Sequence, residues 1–136
     1  MRSPLIPLLA AALLATAAAA SAQTTAPPPA PYQKVSELVD LPEFIPGVGV
    51  LFVDPATLPA GPFLAYDREG SLVSTVYMIP LAALEDQQAF SGLDVGDAPV
   101  DHVDLYFNAG HPGVAEPHYH VVLWHIPPAR AAELGR

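Results

Sequence analysis

Proline constrains this chain more than any other residue. It occurs 17 times in 136 residues, and each occurrence fixes φ and removes a backbone donor, which helix interiors and central strands do not tolerate. Beyond Pro31 the prolines stand at 42, 46, 55, 59, 62, 80, 99, 112, 117, 127 and 128, where they mark the ends of elements. Val48–Val53 (VGVLFV) is apolar on both faces and stops at Asp54-Pro55, as a buried strand does. Phe63–Tyr66 and Leu72–Ile79 flank Asp67-Arg68-Glu69-Gly70, which reads as a hairpin. Pro80 opens a short helix through about Phe90, since proline is tolerated at the first helical position. Val100–Asn108 is an amphipathic strand, with His102, Asp104, Tyr106 and Asn108 on one face and Val103, Leu105 and Phe107 on the other. His118–Ile126 is a last strand closed by Pro127-Pro128. The expected fold is α+β, a mostly antiparallel sheet of about five strands with one short helix.

The chain divides before the fold begins. Residues 1–22 read as a signal peptide, with Arg2, a Leu/Ala-rich apolar run and the small-x-small site Ala20-Ser21-Ala22. Residues 23–33 read as a Pro/Ala-rich tether, residues 34–128 as a single α+β domain, and residues 129–136 as a C-terminal tail. The expected location is therefore periplasmic or secreted. A net charge of −9 with Lys34 as the only lysine argues against nucleic acid, and against a membrane surface once the signal is removed. The chain has no cysteine, which excludes disulfides, thiolate metal sites and cysteine nucleophiles. A small exported domain without disulfides must draw its stability from its core, a bound metal or the contacts of a homo-oligomer.

The chemistry-bearing residues are the histidines. All five lie between His102 and His125. His118 and His120 project from one face of a strand, about 7 Å apart by strand rise, a spacing at which a His-x-His pair chelates a divalent metal. If the last two strands pair as a long hairpin, the His102/Asp104 face can meet the His118/His120 face, with His111 in the connecting loop. The candidate metal ligands are thus His102, Asp104, His111, His118 and His120, and the candidate cofactor is a divalent metal such as zinc, with iron, manganese and copper also suited to the set. His125 has the opposite parity. Histidines of a polar pocket or subunit interface would give the same pattern, and both readings stand on the sequence. Glu116 can serve as a general base beside a metal or simply be solvated. Val121–Trp124 after His-x-His lacks the cupin glutamate, and there is no H-E-x-x-H, G-x-S-x-G, P-loop or G-x-G-x-x-G. Tyr106, Phe107, Tyr119 and Trp124 make these strands aromatic, fit for a ligand pocket, a core or a subunit seam.

The run Gly110-His111-Pro112 followed by Pro117-His118, preceded by Val100–Asn108, resembles a bacterial exported domain-of-unknown-function family typified by a Thermus protein under extracytoplasmic sigma-factor control. Met78-Ile79-Pro80-Leu81 is similar to that family's hairpin leading into a helix start. The resemblance spans roughly Gly47–Ile126 and implies export and subunit assembly, with His111 and His118 as signature histidines. The sequence departs from the pattern at His120, in place of Asp, and at Val122, in place of His. Three readings follow: an exported envelope protein of unknown activity, oligomeric and bearing a His-rich polar site; a metal-binding protein or metal-dependent enzyme using the His cluster; and a carrier of a small-molecule ligand. Whether the chain is an enzyme is open at the level of sequence.

Overall fold

The computed structural model describes residues 23–136; the expected signal peptide at residues 1–22 lies outside them. Seven strands form one antiparallel sheet: β1 (Gln33–Lys34), β2 (Phe44–Ile45), β3 (Gly49–Val53), β4 (Phe63–Tyr66), β5 (Leu72–Pro80), β6 (His102–Asn108) and β7 (His118–Trp124). The order is β1-β3-β4-β5-β7-β6, and β2 shares with β1 the outer edge of β3. Two short helices complete the fold, α1 (Leu81–Glu85) and α2 (Pro128–Glu133). The five long strands are those the proline spacing delimits, and β1 and β2 are two-residue additions at one edge. Among the described residues no helix is long and apolar enough to cross a membrane.

The sheet has two unequal faces. On the front, Val53, Phe63, Ala65, Val76, Met78, Val122 and Trp124 form the main core, covered by Val35 before β2 and by Leu134 after α2. On the back, Phe52, Leu64, Tyr66 and Leu72 make a second cluster with Ala26 and Tyr32 packed on it. The loop between α1 and β6 crosses the back as well, where the Tyr77 hydroxyl donates to the Asp94 carbonyl at 2.8 Å.

Both ends of the described stretch, residues 23–33 and 129–136, pack onto the folded body. The Pro-rich segment 23–33 is laid on the sheet instead of hanging from it. The Ala26 amide donates to the Gly70 carbonyl at 2.8 Å, the Leu72 amide to the Thr24 carbonyl at 3.0 Å, and the Tyr66 hydroxyl to the Gln23 carbonyl at 2.6 Å. Extended proline-rich backbone keeps its carbonyl acceptors, so it can satisfy donors at a sheet margin that would otherwise be unpaired. The C-terminal residues are not a tail either: Leu134 is buried, and its carbonyl accepts the Gly47 amide at 2.8 Å.

Strand β6 is an end strand with its hydrophobic row outward. Val103, Leu105 and Phe107 are 53%, 65% and 50% exposed, while the polar row faces the same side as the main core. The register explains this. Asp104 pairs with Val122 and Tyr106 with His120, so the polar residues of β6 continue the front face, and nothing among the described residues covers the back of β6.

Candidate metal centre

Three of the five histidines meet at one end of the front face. His118 and His120 alternate with Tyr119 on β7 and share a face, while β6 ends opposite them, with Asn108 paired to His118. The loop leaving β6 then folds back. The Asn108 side chain accepts the Gly110 amide at 2.9 Å, and His111 and Val114 exchange amide hydrogen bonds of 2.9 and 3.0 Å around Pro112-Gly113. This turn carries the His111 ring to 4.9 Å from the His118 ring and 5.5 Å from the His120 ring. One potential ligand atom from each of the three lies within 4.8 Å of the others.

The hydrogen bonds fix which nitrogens face inward. His118 Nδ1 lies 2.7 Å from the Glu116 carbonyl and His111 Nδ1 lies 3.0 Å from the Pro112 carbonyl. A carbonyl only accepts, so both Nδ1 atoms carry the proton and both Nε2 atoms keep a lone pair. His120 Nε2 stands 2.9 Å from His118 Nε2, and its Nδ1 is 3.0 Å from the Tyr106 hydroxyl. Because His118 Nε2 is an acceptor, His120 Nε2–H donates to it and His120 Nδ1 accepts from the Tyr106 hydroxyl. Moving that proton to Nδ1, with Tyr106 turned to accept it, would turn a third lone pair inward. Outer-nitrogen partners of this kind orient imidazoles that bind metals. Burial, reinforced by the neighbouring His118 and His111, holds the His120 imidazole down to about 4, so at neutral pH it is an uncharged donor. His118 is fully buried, and its ring is held from both ends.

The other two expected ligands do not join. His102 pairs in register with Trp124 and Asp104 with Val122. His102 therefore sits four residues along the strand from Tyr106, the partner of His120, or about 13 Å away. The face predicted from alternation is right; the register is shifted along it. His102 stacks on Trp124, with centroids 6.0 Å apart, and its Nδ1 contacts Asp101 at 2.8 Å, while Asp104 accepts the Trp124 indole N–H at 2.8 Å. These two residues hold Trp124. Asp104→Ala is expected to cost about 1–3 kcal/mol by orphaning the indole N–H, measured by chemical denaturation, while leaving metal content unchanged. His125 lies on the back, with Nε2 2.9 Å from the Thr75 hydroxyl and Nδ1 3.1 Å from the Pro99 carbonyl. Glu116 serves the centre through its backbone carbonyl, and its side chain is exposed.

The centre opens onto a cavity of about 390 Å³ between the sheet and the segment that precedes β3. His111, His120 and Tyr106 line one end, Trp124 and Ser74 another part of its wall, and most of the remainder is aliphatic. The sequence singles out the histidines and the aromatic strands, whereas nothing in the strand pattern distinguishes Ser74.

No family model matches the chain, and neither does any curated protein. Among solved structures, it is similar to the hypothetical protein TTHB210 from Thermus thermophilus, at 42% identity and a TM-score of 0.60, over 69% of this chain and 92% of that one. The chain belongs to the TTHB210 family. The uncharacterised Thermus family expected from the Gly-His-Pro loop is thereby reached from the fold as well. The family name carries no activity with it.

Proposed function

We propose that this chain is an exported, oligomeric member of the TTHB210 family that holds a divalent transition metal, zinc foremost, on His111, His118 and His120. The observation that carries the reading is the inward set of nitrogens: two Nδ1 atoms are committed to carbonyls, so two lone pairs point inward, and the third imidazole can add its own. Three imidazole ligands suit zinc, copper, iron or nickel. In a tetrahedral zinc site with nitrogens about 2.0–2.1 Å from the ion, ligand atoms lie about 3.3 Å apart. His118 and His120 are already near that separation at 2.9 Å, and His111, on its loop, closes the remaining gap. Three protein ligands leave a coordination position toward the cavity, which is also the ligand count of hydrolytic zinc sites, so the metal-dependent enzyme reading belongs to this same centre. Export and control by an extracytoplasmic sigma factor are the part of the proposal that rests on the signal-like residues 1–22 and the family resemblance.

The test is metal analysis of purified protein after exposure to zinc and desalting. One equivalent of zinc in the wild-type chain, lost in His118→Ala, supports the centre. No retained zinc in a folded wild-type protein overturns it and leaves the histidines as hydrogen-bonding residues of a polar pocket.

Assembly is supported by the open edge of β6 and its outward apolar row. A second copy pairing antiparallel along this edge would bury Leu105, the middle residue of the strand, against its twin, and would remove a hazard that isolated proteins manage with charge. Leu105→Arg is expected to shift the protein to monomers in light-scattering-coupled chromatography, with its circular dichroism retained. An unchanged mass would place the subunit contact elsewhere.

A further inference from the structure

Ser74 is fully buried, and its hydroxyl is the one buried side-chain polar atom among the described residues with no hydrogen-bond partner. It lies on the wall of the cavity that begins at the histidines. A buried hydroxyl without a partner is costly to keep, and alanine would fit a strand at this point with almost the same volume. The position of Ser74 is informative too. It pairs with Trp124, whereas Met78, four residues further along β5, pairs with His120. The hydroxyl and the histidine centre are thus separated by about 13 Å of strand, and the Val76–Val122 pair between them lines the same cavity.

We infer that the cavity is a binding site for an elongated molecule with an apolar body and two polar ends, one a Lewis-basic head at the histidine centre and the other a hydroxyl or carbonyl that pairs with Ser74. This rests on the metal reading for its head and on Ser74 and the cavity for the rest. The aliphatic walls accept methylenes and offer few partners for charge along the body. A cavity of about 390 Å³ lies within the range of small-molecule sites, roughly 300–1,000 Å³. The class that satisfies all of these features is the medium-chain carboxylate bearing a second polar group at its far end.

The experiment uses the full chain, with zinc content measured on every sample, and follows thermal midpoints with ω-hydroxyhexanoate, ω-hydroxyoctanoate and ω-hydroxydecanoate against the plain carboxylates of equal length. In zinc-loaded wild type, one of the hydroxy acids should raise the midpoint more than its plain counterpart does. Ser74→Ala should raise the ligand-free midpoint by about 4–8 °C, because it removes an unsatisfied hydroxyl. The same change should weaken binding of the preferred hydroxy acid about tenfold and leave the plain acid unaffected. A serine with a purely structural role would produce no such split between the two ligands. Retained zinc with no midpoint shift from any acid, or equal losses for both acids in Ser74→Ala, overturns the inference while leaving the metal centre standing. Absent zinc condemns the metal reading through a separate measurement, and the Ser74-dependent preference then decides the cavity assignment alone.

Discussion

His118→Ala protein is expected to emerge from zinc loading and desalting essentially metal-free, with an affinity at least about 100-fold below that of the wild-type chain, as read by competition with a chromophoric chelator. Losing one of three ligands removes a metal–nitrogen bond, and even outer-shell changes at such sites cost about 10–100-fold. The effect should exceed that range because His118 is the fixed point of the site: fully buried, with one nitrogen on the Glu116 carbonyl and the other against His120. Its removal also leaves that carbonyl without its donor and opens a cavity, so the metal-free variant should lose about 2–4 kcal/mol in denaturant unfolding. His111→Ala separates the two effects. His111 is partly exposed on a loop, so its truncation should abolish tight zinc binding at a stability cost below about 1 kcal/mol in the metal-free protein. Equal zinc affinity in wild type and both variants would remove His111 and His118 from any metal site.

The centre was partly legible in the sequence because two of its requirements are local. Alternation on a strand puts His118 and His120 on one face whatever the strand pairs with, and a loop histidine directly after Gly110 can fold back toward them. The remainder depended on register, which alternation does not fix. His102 and Asp104 have the correct parity, yet the loop after β6 closes so that Asn108, not Asp104, lies opposite His118, and this moves both of them out of reach. The same limit hid the role of β6, whose amphipathic pattern names two faces without saying which one meets the core. The long strands were readable because proline bounds them with local chemistry. The docking of residues 23–33 was not, because it combines backbone hydrogen bonds that any sequence can make with packing of Ala26 and Tyr32 on residues distant in the chain. Ser74 marks the same boundary between local and tertiary information: its lack of a partner is a property of its neighbours, not of its own residue type.

Gly110→Ala is expected to lower zinc affinity about 10–100-fold without touching a ligand and without unfolding the sheet. Gly110 holds φ at +129°, a conformation L side chains rarely adopt, and a Cβ built on it would stand 2.5 Å from the Ala115 carbonyl oxygen. Both objections point at one place, since that carbonyl belongs to the far arm of the turn that brings His111 back to β7. To accommodate a methyl group the turn must open, or the Gly110 amide must leave the Asn108 side chain that it bonds at 2.9 Å. Either movement displaces His111, the only ligand not anchored on β7. Its reach is already the weakest dimension of the site, because the three donor atoms spread to within 4.8 Å while His118 and His120 lie at 2.9 Å. The pair on β7 should stay intact, so the variant should fall between wild type and His111→Ala in affinity and match wild type in far-ultraviolet dichroism. Cobalt substitution distinguishes the alternatives, since loss of one imidazole changes the intensity of the visible ligand-field bands. Wild-type affinity and spectrum in Gly110→Ala would mean that the turn tolerates the added methyl and that His111 reaches the metal by side-chain rotation alone.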